Sequence, residues 1–181
     1  MLRSLGLAVE VAPTGYDEPP ARGLSPRQLA SHHAHEKLAG VIASPREIDA
    51  PVLAADTVVD LDGDALGKPR DAGEATTMLR RLSGREHLVH TAFALTVPGA
   101  REWVEERATT RVRFYRLEPA EIAEYVATGE PLDKAGAYGI QGRAAALVEA
   151  IDGDFYTVVG LPLARFVRAL RRSGFTLPET K

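Results

Sequence analysis

Alternating or continuous apolar positions predict strands at several places along the chain. In residues 5–12, four apolar side chains would share one face of an extended segment, because strand side chains repeat every two residues: Leu5, Leu7, Val9 and Val11. The Val- and Leu-rich run over residues 51–59 is typical of a buried strand. Further strands are predicted over residues 86–97, 102–115 and 144–151, the first two joined by a hairpin at Pro98-Gly99.

Four helices are predicted from their start signals. Ser25 as N-cap before Pro26 predicts a helix to about Ser44, and Asp71 predicts a helix over residues 72–82. The other two are expected from Glu118-Pro119 to about Thr128 and from Leu161-Pro162 onward. Residues 13–24 read as a polar loop, and the tail after Gly174 is expected to fray.

The interleaving of these elements indicates an α/β or α+β domain, with helices flanking a mixed sheet. No GxGxxG follows the first strand, which argues against a Rossmann domain. The length of 181 residues suits one domain or two small lobes, and a hydrophobic content of 45% is enough for a core.

Charge and residue usage exclude several function classes. With 22 basic and 25 acidic residues, the net charge of −3 gives no basic excess, so no nucleic-acid partner is expected. The absence of cysteine excludes disulfides and thiol catalysis. No run reaches roughly 18 apolar residues, and the N-terminus lacks the apolar region of a signal peptide. We therefore expect a cytoplasmic protein with no membrane partner.

The stretch LAADTVVDLDGDALGKPRD, residues 53–71, carries the first candidate chemistry. Its GDALGKP portion lacks the spacing and the hydroxyl residue of a P-loop. Asp56, expected at the end of the apolar strand, can hold a divalent metal or activate water, and Lys68 can neutralise phosphate. The alternative is that Asp56 caps a turn and Lys68 is solvated. Asp62-Gly63 predicts a hairpin turn, and Asp60 and Asp64 are expected to be solvated.

Two further segments are candidates. In DKAGAYGIQG, residues 133–142, small residues would allow close approach of a ligand, Lys134 can meet phosphate, and Gln141 can pair with a nucleobase edge. A flexible surface loop is the alternative. The segment HHAHEK, which contains His32, His33 and His35, lacks the HExxH spacing of a zinc protease, so surface histidines are expected.

Taken together, several segments resemble the Maf family of nucleotide pyrophosphatases. They are ADTVV (55–59), LDGDALGKPRD (61–71), MLRRLSGREH (78–87), YVATGEPLDKAGAYGIQG (125–142) and VVGLPL (158–163). The resemblance covers the chain from about residue 2 to 173. It implies a single domain over residues 1–181, with the fold of the inosine-triphosphate pyrophosphatases and a cleft between two lobes.

The resemblance also implies an activity, which is Mg²⁺- or Mn²⁺-assisted hydrolysis of a nucleoside triphosphate to the monophosphate and pyrophosphate. By this resemblance Asp56 is the proton acceptor, and Glu18 and Asp56 hold the metal. Phosphate and substrate binding are implied for Lys37, Lys68 and Lys134, and substrate choice for Thr57 and Gln141. Thr57 and Gln141 fit the subgroup that acts on dTTP and UTP better than the 7-methyl-GTP subgroup. The family often forms homodimers.

One departure from the family concerns its phosphate loop. Family members begin with a strand and an SxSPRR loop that holds the triphosphate, and neither precedes MLRSLGLAVEV here. We expect either a longer natural chain upstream or a degenerate homologue. The rival function is therefore a catalytically impaired nucleotide-binding protein with a regulatory role in cell division.

Overall fold

The computed structural model describes residues 1–19, 23–45 and 48–178. The helices within these ranges are α1 (Pro26–Ile42), α2 (Ala72–Leu82), α3 (Pro119–Ala127), α4 (Phe155–Val159) and α5 (Leu163–Arg172). The strands are β1 (Val52–Leu61), β2 (Asp64–Leu66), β3 (Glu86–Thr96), β4 (Val104–Phe114) and β5 (Val148–Asp152). Short 3₁₀ turns lie at Leu2–Leu5, Glu130–Asp133, Ala135–Ala137 and Arg143–Leu147.

The described strands form one sheet in the order β2-β1-β3-β4-β5. This confirms the α/β class with helices flanking a sheet. Each neighbouring pair of described strands is antiparallel, so the expectation of a mixed sheet is corrected. Tight turns after β1 and β3 return the chain beside the strand it has just left, which is the connection that antiparallel strands need.

Alternation along β1 separates the two faces of the sheet. Val58 packs with Ala30, Ala34 and Ala92, so this face is covered by α1. Residues of the other parity, such as Val59, pack in the main core with α2 and α3. Because successive strand side chains point to opposite faces, neighbouring residues of β1 serve different layers.

Local capping chemistry fixes the helix starts that the sequence predicts. Ser25 and Gln28 form a capping box at α1, which begins at Pro26. The Asp71 carboxylate accepts from the backbone N–H of Glu74 at 2.8 Å and starts α2 over the predicted residues 72–82. Among the described residues, no helix is long and apolar enough to cross a membrane.

The predicted strand over residues 5–12 is wrong. Leu2–Leu5 is a 3₁₀ turn that ends at Gly6, where φ is 77°, and the chain beyond it pairs with no described strand. Leu5 and Leu7 pack instead beside α5, together with Phe175 and Leu177 of the tail. The tail is therefore packed up to this point, whereas residues 179–181 and part of the predicted loop, residues 20–22, lie outside the described ranges.

Two other boundaries differ from prediction. The segment expected as a strand over 144–151 starts as a 3₁₀ turn, and β5 begins only at Val148. The short helix α4 was not predicted; Asp154 caps it by accepting from the N–H groups of Tyr156 and Thr157. Over residues 52–58, no described strand pairs with the edge of β1 opposite β3, because β2 covers only residues 59–61.

Candidate functional site

A cleft of about 1110 Å³ runs along the unpaired edge of β1. One wall comes from the segment before α1 and from α1 itself, and the other from the hairpin at β2 and the segment 130–142. All seven residues singled out from the sequence line it: Glu18, Lys37, Asp56, Thr57, Lys68, Lys134 and Gln141. Residues far apart in sequence therefore meet at one place, as the resemblance implied.

A lysine between two carboxylates forms the charged centre of the cleft. Lys37 Nζ lies 2.6 Å from Asp56 Oδ1 and 2.7 Å from Glu18 Oε1. The Asp56 side chain is only 9% exposed, whereas that of Glu18 is 39% exposed. Lys37 stands on the cleft side of α1, and Asp56 faces it from β1.

The three pKa values reflect this difference in burial. Burial raises the pKa of Asp56 above its ordinary value, and the hydrogen bond and charge of Lys37 offset this only in part. Burial also acts to raise the pKa of Glu18, but Lys37 outweighs it, so the Glu18 pKa falls. Burial acts to lower the pKa of Lys37, yet the two carboxylates raise it more, and the ammonium stays charged.

The backbone places both carboxylates, in different ways. Asp56 lies in the middle of β1 and not at a strand end, which corrects the expectation; β1 continues through Leu61 because β2 and β3 pair with its last residues. Glu18 is a non-glycine residue with φ of 51°, a left-handed conformation that costs about 1–3 kcal/mol. This local strain turns the Glu18 side chain toward Lys37.

Thr57 projects from the opposite face of β1 to Asp56. Its hydroxyl lies 2.8 Å from the hydroxyl of Thr91, which donates at 2.6 Å to the carbonyl of Thr157 in α4. The cleft reaches both faces because it wraps around the unpaired edge of the strand. Thr57 and Asp56 can therefore contact different parts of one ligand.

The segment that carries Gln141 is packed and is not a flexible loop. Glu130 braces it: its Oε1 accepts from the Tyr125 hydroxyl at 3.0 Å, and its Oε2 accepts from the Arg143 backbone N–H at 3.0 Å. A Cβ on Gly142 would lie 2.2 Å from Glu130 Oε1. A side chain at this position would push the Glu130 carboxylate away from the backbone beside Gln141.

The remaining lysines stand at the cleft mouth. Lys68 is exposed and makes no ion pair with a described residue, whereas Lys134 pairs with Asp133 at 2.5 Å. The backbone N–H of Gly136 donates to the carbonyl of Gly67 at 3.0 Å, which ties the two lysine-bearing segments together. Both ammonium groups are thus held near the same opening.

The expectation that all three histidines of HHAHEK lie on the surface is wrong for His33. His33 is 7% exposed and lines the cleft, and its Nδ1 lies 2.8 Å from the Tyr16 hydroxyl. His35 is exposed and pairs with Glu105 at 2.6 Å, whereas His32 is half-buried. The signal that could have found His33 is its position one helical turn before Lys37, on the same side of α1.

Of the other aspartates in residues 53–71, some lie where the sequence predicts and one does not. Asp64 is exposed and pairs with Arg81 at 2.7 Å. Asp60, expected in solvent, has a side chain only 14% exposed and pairs with buried His90 at 3.0 Å. The hairpin at Asp62-Gly63 is confirmed, with Asp62 at φ of 57°.

Comparisons with known proteins agree with this geometry. The profile of the family described as Maf-like protein matches residues 1–173. A dTTP/UTP pyrophosphatase of Thermus thermophilus is 51% identical over 175 residues, covering 97% of this chain and 89% of that protein. Proteins of the same name from Symbiobacterium thermophilum and Pelotomaculum thermopropionicum are 50% and 44% identical over 177 residues. In both, the match covers 98% of this chain, and 89% and 92% of the respective relative.

Proposed function

Because the chain belongs to the family of Maf-like proteins, we propose that it hydrolyses dTTP and UTP to the monophosphate and pyrophosphate. The observation that carries the proposal is the buried Asp56 paired with Lys37 inside a cleft whose mouth holds two more lysines. Similar chains at 44–51% identity bear the name dTTP/UTP pyrophosphatase. No observation favours the alternative of a catalytically impaired regulatory homologue.

Asp56 acts as the base toward the attacking water. Its raised pKa makes it a better proton acceptor than an exposed aspartate, and Lys37 keeps it ionised and oriented. The water then attacks the α-phosphorus, and pyrophosphate leaves toward the cleft mouth. There Lys68 and Lys134 take up the negative charge that builds on the leaving group.

Glu18 and Asp56 would hold a divalent metal. Their carboxylates already converge on one cation, the Lys37 ammonium, at 2.7 and 2.6 Å. Within the described residues, no group of three His, Cys, Asp or Glu side chains could hold a metal alone. Two carboxylates with substrate phosphates as further ligands is an arrangement that suits Mg²⁺. When bound, Mg²⁺ or Mn²⁺ would neutralise phosphate oxygens and polarise the α-phosphate.

Thr57 and Gln141 select the nucleobase of the substrate. The Gln141 amide offers both a donor and an acceptor, which a pyrimidine edge with a carbonyl and an imino N–H requires. Glu130 accepts from the Arg143 backbone N–H after Gln141, and the Tyr125 hydroxyl that it holds accepts from the Gly139 N–H before it, so the backbone at Gln141 is placed before substrate binds. A nucleobase with the wrong edge would leave the polar groups of such a fixed site without hydrogen-bond partners, and would therefore bind less well.

The test is a product assay on the purified protein with dTTP, UTP and 7-methyl-GTP plus Mn²⁺, in which monophosphate and pyrophosphate are quantified. Asp56→Asn keeps the side-chain volume and should lower turnover by at least about 100-fold. Asp49→Asn, an exposed aspartate outside the cleft, is the matched control and should leave turnover unchanged. Undiminished turnover in Asp56→Asn would refute the role of this residue, and a preference for 7-methyl-GTP would refute the substrate.

The proposal includes assembly as a homodimer. Three apolar side chains in β5 and in α4, which follows it, are more than a third exposed: Ile151, Phe155 and Tyr156. Exposed apolar side chains next to β5, whose outer edge no described strand pairs, favour association. Light scattering on the eluting protein should give twice the chain mass, and a monomer at all concentrations would contradict this part.

A further inference from the structure

A second hollow lies beside the start of α1 and extends past β4 to α5, which packs on the opposite face of the sheet. It encloses about 550 Å³ and shares no lining residue with the nucleotide cleft. Its walls come from the first turn of α1, from the middle of β3 and β4, and from α5. None of the functions assigned so far uses it.

Three arginines from three different elements converge on this hollow. They are Arg27 of α1, Arg107 of β4 and Arg165 of α5. Arg27 and Arg107 form no ion pair with any residue in the described ranges. Arg165 lies 4.0 Å from Glu106, a carboxylate that also binds Arg172. At least two guanidinium groups therefore keep all their hydrogen-bond donors for a ligand.

The other polar groups of the hollow satisfy one another. Asp60 accepts from the Gly63 backbone N–H at 2.7 Å and pairs with His90 Nε2 at 3.0 Å. His90 Nδ1 in turn lies 2.9 Å from the Thr109 hydroxyl. Ser25 is engaged with Gln28 in the helix cap. The donors left without a partner are thus those of the arginines.

The charge balance of the hollow points to an anionic ligand. Asp60 is held by His90 and Arg165 lies near Glu106, so Arg27 and Arg107, which have no ion pair within the described ranges, leave an excess of positive charge at the hollow. The planar guanidinium fork binds phosphate oxygens through two parallel hydrogen bonds. A small ligand with several phosphate oxygens can engage more than one arginine at once.

We propose that this hollow is a binding site for a phosphate-type oxyanion, with pyrophosphate the form that best matches its charge. The proposal rests on the arginine cluster and stands whether or not the nucleotide cleft is catalytic. Free pyrophosphate and the phosphate of a nucleotide are two sources of the same chemistry, which the experiment separates.

The test combines site-resolved detection with a charge-matched control. Protein labelled with ¹⁵N in arginine is titrated with sodium pyrophosphate, orthophosphate or thymidine monophosphate at constant ionic strength and without divalent metal. The Nε–H signals of Arg27 and Arg107 should move saturably, at the lowest concentration for pyrophosphate. Thymidine monophosphate acting at a lower concentration than both inorganic ions would assign the site to a nucleotide and overturn the pyrophosphate assignment.

Two double variants then separate specific binding from general charge. Arg27→Ala with Arg107→Ala should weaken the association at least about tenfold, as expected for the loss of charge-assisted hydrogen bonds. Arg80→Ala with Arg168→Ala removes the same charge from exposed positions outside the hollow and should change affinity by less than about twofold. Equal weakening in both double variants, or equal signal shifts with sodium chloride, would overturn the proposal.

Arg107→Lys adds a test of the fork geometry. Lysine keeps the positive charge but binds phosphate as a point charge, without two parallel bonds. We expect affinity for pyrophosphate between that of the wild type and that of Arg107→Ala. Full retention of affinity would mean that the guanidinium geometry has no part in the site.

Discussion

A buried histidine should make the stability of this protein depend on pH. His87 is 3% exposed and lies against Phe114 and Tyr138. Its Nε2 is 2.7 Å from the Tyr138 hydroxyl, and its Nδ1 has no hydrogen-bond partner among the described residues. Burial lowers the pKa of His87 from its ordinary 6.5 to about 4. Between about pH 6.5 and 4, His87 therefore binds a proton in the unfolded chain but stays neutral in the folded protein.

The sign and size of the effect follow from this pKa difference. Above about pH 6.5 the ring is neutral in both states, and the stability that it contributes is fully present. As the pH falls toward 4, only the unfolded chain takes up the proton, so this stability is lost. At 1.36 kcal/mol per pKa unit, the total loss is about 3 kcal/mol, of which about 2 kcal/mol is lost by pH 5.

Urea unfolding of the wild type and His87→Gln between pH 7.5 and 4.5 isolates this contribution. Glutamine does not titrate and can still bond to Tyr138. The unfolding free energy of the wild type minus that of His87→Gln should fall by about 2 kcal/mol from pH 7.5 to 5, because only the wild type gains a proton on unfolding. Surface substitutions usually change the unfolding free energy by no more than about 0.5 kcal/mol. A difference between wild type and His87→Gln that stays constant with pH within this limit would refute the reasoning.

Two substitutions and the pH profile of the wild type probe the cleft further. Gly142→Ala should raise KM for dTTP and UTP by about tenfold in steady-state assays while the protein stays folded, because the added methyl displaces Glu130; an unchanged KM would contradict the bracing role. Lys37→Met leaves two facing carboxylates without their cation, so turnover should fall at least about 100-fold and the acid limb of the pH–rate profile should move upward. In the wild type, kcat/KM should decline as the pH falls through the raised pKa of Asp56, whereas a limb at the ordinary aspartate value would show that another group is the base.

Local chemistry made some elements predictable from sequence. Helix α2 begins and ends where its cap residues indicated, because Asp71 satisfies the backbone of its own first turn. The strand over residues 5–12 failed for the opposite reason. Its alternation is real, since Leu5 and Leu7 pack on the core, but a strand also needs a partner, which no local pattern can supply.

Only those residues of the site that belong to recognisable sequence motifs could be predicted. The resemblance led to Asp56, Lys37 and Gln141, and the structure brings all three to one cleft. The burial of Asp60 beside His90 depends on the register of β1 against β3, which the sequence does not state. The brace at Glu130 likewise joins residues that meet only after the segment has folded back.

The edge of β1 that no described strand pairs has a consequence for how this cleft can evolve. Residues 55–58 line the cleft, and at this edge alternate main-chain N–H and C=O groups point away from β3. Main-chain groups survive almost every substitution, because all residues but proline carry the same donor and acceptor. The nucleobase selection that we propose for Thr57 and Gln141 can therefore drift by single mutations, while a contact to the peptide backbone stays constant. Substitutions in this protein would therefore rarely abolish the binding of an inhibitor that forms hydrogen bonds with this strand edge.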